Sequence, residues 1–303
     1  MSLSRLSLYA GLALLGFVGN AKAMIGACPS PWTCEQMKVF IPATSKYESI
    51  RAGYIKETAP FKGNIIYYQG LGDSMLNHLP LFSALSEDGW RVIAFDYVGQ
   101  GGSSGCMNST RLVEIPYIGD QVWNRFYNSK TTKTKKTIIG WSTGGLAAYM
   151  QAARSKADKV ILLAPGIVPN KIVGEGLRSW PVNRISLESL TTAAADYSRI
   201  QDPHLDPIKP NSPVMVPEFA IDLLSSAKSA QKMKMPLKVS GLVLLSGEND
   251  TYVNAAKTSR VLEKNAPLFK VKSYPGALHE IDNEVEHIQR EAILDIVDFL
   301  NTK

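Results

Sequence analysis

Six apolar runs recur along this chain, and several are apolar at every position rather than at alternate ones. They are NIIYYQG (Asn64–Gly70), RVIAFDYVG (Arg91–Gly99), TIIGW (Thr137–Trp141), KVILLAPG (Lys159–Gly166), GLVLLSG (Gly241–Gly247) and FKVKSYPG (Phe269–Gly276). A strand with one wet face alternates. A strand covered on both faces does not, and continuous apolar runs mark a parallel sheet between helical layers. Helical spacing fills many of the gaps. LPLFSALSEDGW sets Leu79, Phe82 and Leu85/Ser86 three to four apart and stops at Gly89; LAAYMQAARSK, AAKTSRVLEKN and EVEHIQREAILDIVDFL behave alike. This alternation predicts an α/β fold with a mostly parallel central sheet and helices on both faces. Ahead of it, MKVFIPA and IRAGYIKE alternate and predict an antiparallel leading hairpin.

One interval breaks the rhythm. Between LLAPG and GLVLLSG lie Pro169, Pro181, Pro203, Pro207, Pro210, Pro213 and Pro217, with helical patches SLESLTTAAADYS and EFAIDLLSSAKSAQKM. It is too long for a plain connection in a compact domain, and predicts a helical cap inserted over about residues 167–236. The 303 residues, 45% of them hydrophobic, otherwise suit one large domain across 24–303.

Residues 1–23 read differently. Arg5 precedes an apolar stretch from Leu6 to Val18, and Ala21-Lys22-Ala23 has the small-x-small form of a cleavage site. That is the layout of a secretory signal peptide, and the stretch is shorter than the roughly 20 residues of a membrane span. Export to a periplasmic or extracellular space is expected. Ile25-Gly26-Ala27-Cys28 resembles a lipoprotein box, so lipid attachment at Cys28 is the alternative processing. Cys28 and Cys34 flank PSPWT and are expected to form a disulfide in an oxidising compartment; so short a loop adds modest stability. Cys106 is left over. Losing Arg5 and Lys22 with the leader lowers the net charge from +6 to +4. This mild excess permits peripheral contact with an anionic membrane. The basic residues are scattered apart from KTTKTKK (Lys130–Lys136), so no nucleic-acid partner is expected. No obligate protein partner is inferred. No Cys/His spacing suggests zinc, and no metal or organic cofactor is expected.

Two segments fit G-x-S-x-G: Gly140-Trp141-Ser142-Thr143-Gly144, and Gly101-Gly102-Ser103-Ser104-Gly105. A nucleophile elbow needs a strand before the serine and a helix after it. Its turn is tight enough that small residues must stand two before and two after. Ser142 meets this: Thr137-Ile138-Ile139 enters, Gly140 and Gly144 flank, and Leu146 to Ala153 leaves as a helix former. Ser103 runs into CMNSTR and reads as a loop serine. At such an elbow the N–H of Thr143 can support a developing oxyanion. The loop YYQGLGDS offers a second donor, with Gly70 allowing the turn and the N–H of Leu71 as the candidate.

A serine needs a base, and the chain has four histidines. His78 precedes the serine, His204 lies in the cap interval, and His287 sits in a helical pattern. His279, in YPGALHEID, comes after the last strand and is the expected base. LLSGENDTYV ends the strand before and delivers Glu248 and Asp250. A carboxylate there would hold the imidazole and stabilise its cation.

From about Gly63 to Leu300 the chain resembles the α/β-hydrolases, in the branch of monoacylglycerol lipases, lysophospholipases and serine aminopeptidase-like enzymes. GWSTGG is similar to the family's elbow, LLAPG to the strand after it, GENDTYV to the acid loop and ALHEI to the histidine loop. Asp96, Gly99, Gly101 and Ser103 match its D-x-R-G-x-G-x-S segment, and QDPHLDP resembles the D-P-L segment of its cap. The G-x-x-D spacing from Gly247 in that pattern favours Asp250 over Glu248. Two positions depart: Gln69-Gly70 stands for the usual H-G, and Val98 for the arginine. The resemblance implies a carboxylic ester hydrolase acting through a Ser-His-Asp triad on a small-molecule ester or lipid: a monoacylglycerol, a lysophospholipid or a short-chain ester. An aminopeptidase of the same fold is the nearest alternative, with Glu175, Asp196, Asp202 or Asp206 of the cap available to meet an amine. An idle hydrolase fold that binds an apolar ligand or a partner is the other.

Overall fold

In this computed structural model the residues described are 28–129, 136–154, 156–170 and 217–302. The leader 1–23, residues 171–216 of the expected cap and most of KTTKTKK lie outside them. The elements are β1 (Trp32–Ile41), β2 (Lys46–Ile55), β3 (Gly63–Tyr68), α1 (Leu79–Glu87), β4 (Trp90–Phe95), α2 (Glu114–Phe126), β5 (Thr137–Trp141), α3 (Ser142–Ala153) and β6 (Lys159–Leu163). They continue with α4 (Pro217–Ala230), β7 (Ser240–Leu245), α5 (Ala255–Asn265), β8 (Phe269–Ser273) and α6 (Glu286–Asn301).

The strands form one eight-stranded sheet in the order β1-β2-β4-β3-β5-β6-β7-β8. The leading hairpin is antiparallel and joins β4 antiparallel; every later neighbour is parallel. This is the expected mostly parallel sheet. Its pleat explains the unbroken apolar runs. Ile66, Tyr68, Ile138, Val160 and Val243 enter a core shared with α2, α3, α4 and α5. Their chain neighbours Ile65, Tyr67, Ile139, Ile161 and Leu242 enter the opposite core, shared with α1 and α6. Successive residues on a strand point to opposite faces, so two apolar layers demand apolar residues at every position. Each such side chain contributes roughly 1.5–3 kcal/mol by leaving water.

The helix α2 buries Ile115, Ile118, Val122, Trp123 and Phe126 at helical spacing, and two residues within it run against helix propensity. Pro116 falls in its first turn, where a missing N–H forfeits no internal bond. Gly119 sits mid-helix because a Cβ there would lie 2.3 Å from the Tyr68 hydroxyl oxygen. Packing against the sheet overrides the poor propensity. Part of the long proline-rich interval is visible as α4, which contributes Ala227 and Ala230 to the α3 side of the core. Cys28 and Cys34 are joined as a disulfide, with Cα atoms 6.0 Å apart, fastening the entry of the chain to β1.

Candidate active site

The parallel strands deliver their carboxyl ends to one edge, where loops after β3, β5, β7 and β8 meet. Ser142 is the first residue after β5. Its φ of 52° places a non-glycine residue in the left-handed region, a strained conformation that persists only where the surroundings over-determine it. They do so here through missing side chains. A Cβ on Gly140 would come within 2.4 Å of the Gly144 carbonyl, and one on Gly144 within 2.0 Å of the Tyr68 carbonyl. A Cβ on Gly70 would strike the Trp141 ring at 2.5 Å. The three glycines thus let β3, the turn and α3 close on one another.

His279 lies in the loop after β8 and is 3% exposed. Its Nε2 stands 2.8 Å from the Ser142 Oγ, and its Nδ1 2.8 Å from the Asp250 Oδ2. Asp250 comes after a 3-10 turn at Gly247–Asn249, beyond β7. Its other oxygen accepts the backbone N–H groups of Tyr252 and Val253, each at 2.8 Å. Burial pushes this carboxyl up, but His279 and the two backbone donors outweigh it and hold Asp250 below the ordinary carboxylate value. The Trp141 indole N–H donates to the His279 carbonyl at 3.0 Å, and the Tyr252 ring lies 5.1 Å from the imidazole.

Thr143 is the second residue of α3, where N–H groups have no intrahelical partner. Leu71 lies in the loop after β3. That loop is held from inside: the buried Gln69 amide donates to the Asp73 carbonyl at 2.6 Å, and the Gly72 N–H to the Gln100 side chain at 2.7 Å. Asp96 accepts the N–H of Met75, the N–H of Gly102 and the Arg51 guanidinium at 2.6–2.7 Å. Burial nonetheless leaves its carboxyl raised. Arg51 comes from β2, whereas Val98 is buried in the apolar core. The Ser103 hydroxyl donates to the Asp96 carbonyl at 2.8 Å and accepts the Arg51 N–H at 2.9 Å. Glu248 and His287 are exposed. His204 and the four acids Glu175, Asp196, Asp202 and Asp206 lie outside the described residues.

Order along the chain set His78 aside, yet the structure gives it a place. It caps α1 with φ 61° and is 2% exposed. Nδ1 faces the Asp282 Oδ2 and Nε2 the Asp73 Oδ2, both at 2.8 Å. Its ring is 5.2 Å from that of Trp141, which stands 5.6 Å from His279. The one signal in the sequence was a histidine inside an apolar stretch, NHLPLF, with an aspartate five residues before it.

Sheet order, elbow and histidine loop define an α/β-hydrolase. Within that class the chain belongs to the serine aminopeptidase, S33 family, which residues 59–286 match. Solved structures agree in fold. A thermostable carboxyl esterase from Bacillus coagulans, solved with glycerol, is 16% identical with a TM-score of 0.66, over 88% of this chain and 98% of that one. A soluble variant of monoglyceride lipase from Saccharomyces cerevisiae, solved with a substrate analog, is 15% identical with a TM-score of 0.66, over 90% and 99%. A monoacylglycerol lipase from Paleococcus ferrophilus is 20% identical with a TM-score of 0.59, over 82% and 98%. At such identities the likeness is one of fold. Among the described residues no group of three or more His, Cys, Asp or Glu side chains could hold a metal ion, and no helix is long and apolar enough to cross a membrane.

Proposed function

We propose that the chain hydrolyses carboxylic esters, with Ser142 as nucleophile, His279 as general base and then acid, and Asp250 as the group that orients His279. The observation that carries this reading is the placement of the His279 nitrogens, one 2.8 Å from a carboxylate and the other 2.8 Å from a hydroxyl. Asp250 favours the proton on Nδ1, so Nε2 keeps a lone pair and accepts from Ser142. Oγ bonds to the acyl carbon as its proton passes to Nε2. The carbonyl oxygen takes the electron pair and is held by the N–H groups of Leu71 and Thr143, the latter at the positive end of α3. Collapse expels the alcohol, which leaves with the proton from Nε2. Water then repeats the sequence on the acyl-enzyme, releasing the acid and restoring Ser142.

For the substrate we favour monoacylglycerols, lysophospholipids or short lipid-like esters. The lipases and esterases among the similar folds support this, as does the export-type leader. The Cys28–Cys34 disulfide is consistent with an oxidising compartment. Intact-mass measurement of the exported protein distinguishes cleavage after Ala23 from lipid attachment at Cys28.

Labelling with a fluorophosphonate tests the nucleophile. Wild type should label at Ser142 and Ser142→Ala should not; turnover preserved in pure Ser142→Ala would refute the assignment. An idle fold that only binds an apolar ligand leaves the wild type unlabelled. The family description supports one second reading, an aminopeptidase, since the same triad cleaves amides. Paired assays with p-nitrophenyl esters and aminoacyl-nitroanilides separate the two.

A further inference from the structure

Two hydrogen bonds need two protons, and a neutral imidazole supplies one. His78 faces a carboxylate oxygen at 2.8 Å through each ring nitrogen. Both bonds are made when the ring carries both protons and the two aspartates carry none, the arrangement that suits the ordinary acidities of imidazole and carboxyl. The two carboxylates belong to different loops. Asp73 is two residues beyond Leu71, and its second oxygen accepts the Asn77 amide at 2.7 Å. Asp282 is three residues beyond His279, in a 3-10 turn at Ile281–Asn283.

We propose that His78, as an imidazolium between Asp73 and Asp282, is a positioning residue of the reaction that locks the loop carrying Leu71 to the loop carrying His279. It touches neither Ser142 nor the reacting atoms, and acts by fixing where the oxyanion donor and the base stand relative to each other. The deepened reading rests on Ser142 being the nucleophile. Backbone geometry supports it: Ser142 and His78 are two of the four non-glycine residues with positive φ among those described. Strain of this kind is retained where a position is dictated by its surroundings.

The groups around the ring decide how pH acts on the clamp. Asp73 approaches from the β3–α1 loop and Asp282 from the turn after His279. The rings of Tyr67 on β3, Phe82 on α1 and Trp141 on β5 lie tilted to it at 5.4, 6.2 and 5.2 Å. Glu280, also buried, adds negative charge beside Tyr67. Arg51, which reaches Ser74, is paired with Asp96. Burial pulls the imidazole down, but Asp282 and Asp73 together raise it well above its ordinary value. Losing the proton leaves two facing carboxylates with one donor between them, so the clamp opens at alkaline pH.

The test uses the full protein with ¹⁵N-labelled histidine. At pH 8.5 the wild type should show the imidazolium signature at the resonances displaced by Asp282→Asn. That variant keeps the side-chain shape and removes one charge. Its alkaline limb in kcat/KM against pH should move down by about one to three units. At pH 8.5 its kcat should fall on the order of a hundredfold, the scale of a small misplacement of reacting groups, with KM little changed. A neutral His78 at pH 8.5 in the wild type, or coincident alkaline limbs, overturns the clamp. If Asp282→Asn fails to fold, Asp73→Asn and the wild-type spectrum carry the same test. Failure of Ser142 to label refutes the reading of the site; a labelled Ser142 with a neutral His78 refutes the clamp alone.

Discussion

Two histidines of this molecule each face an aspartate at 2.8 Å through one ring nitrogen, and they differ in what faces the other. His279 presents its second nitrogen to the Ser142 hydroxyl, His78 to a second carboxylate. A hydroxyl brings its own proton, so the ring beside it can stay neutral and act as an acceptor. A carboxylate brings none, so the ring beside it must supply both protons and becomes a fixed cation. Both rings are almost fully buried; burial alone therefore does not decide which is a base and which is a clamp. The partner of the second nitrogen does.

The sharpest break in this comparison is removal of each proposed catalytic group. His279→Ala should lower kcat by about a millionfold, the scale of knocking out one member of a triad, while circular dichroism shows a folded protein. Asp250→Asn keeps the shape but lets the ring settle in the wrong tautomer, and should cost about ten thousandfold in kcat. Steady-state rates on a p-nitrophenyl ester measure both. Activity near wild type in Asp250→Asn would transfer the acid's role to another group.

The clamp should register in stability as well as in chemistry. Asp282→Asn removes one partner of a buried charge and should destabilise folding by about 3 kcal/mol near neutral pH, read from urea unfolding. The pH dependence has a definite sign. His78 is held above the ordinary imidazole value, so it stabilises the fold fully below about pH 6.5 and loses that contribution as pH rises through the raised value. Asp250 is held below the ordinary carboxylate value, so its contribution is present above about pH 4 and lost as pH falls through the lowered one. Wild-type stability should therefore decline at both ends, and Asp282→Asn should flatten the alkaline decline alone.

The same physics decides which features were legible in the sequence. The sheet could be read because two cores force apolar residues onto both faces of Ile65–Tyr68 and Thr137–Trp141. The elbow could be read because Gly140 and Gly144 are dictated by backbone contacts within a few residues. Ser103 could be separated from Ser142 because no helix starts directly after it, α2 beginning only at Glu114, and its hydroxyl is spent on backbone bonds. Asp250 and His279 fell at the ends of successive strands, where topology brings them to one edge. Helix α2 shows its apolar face at Ile115, Ile118, Val122, Trp123 and Phe126, while Pro116 and Gly119, which answer to packing, lower its local propensity. The His78 cluster was hidden because its partner Asp282 lies 204 residues away, and no local pattern encodes so distant a charge.

The smallest expected effect concerns the ring between the two histidines. Trp141 donates its indole N–H to the His279 carbonyl at 3.0 Å and stands 5.2 Å from the His78 ring. Trp141→Phe keeps an aromatic ring in that space and deletes the one donor. The buried carbonyl then loses a partner, which costs about 1–3 kcal/mol. Urea unfolding should show that loss, and kcat should fall by no more than about tenfold, since the side chain of His279 keeps its own partners. The pH limbs should not move, because no charge has changed. A shifted alkaline limb in Trp141→Phe would mean that the two histidines are coupled through this ring, and that the clamp and the base are not the separate devices their hydrogen bonds describe.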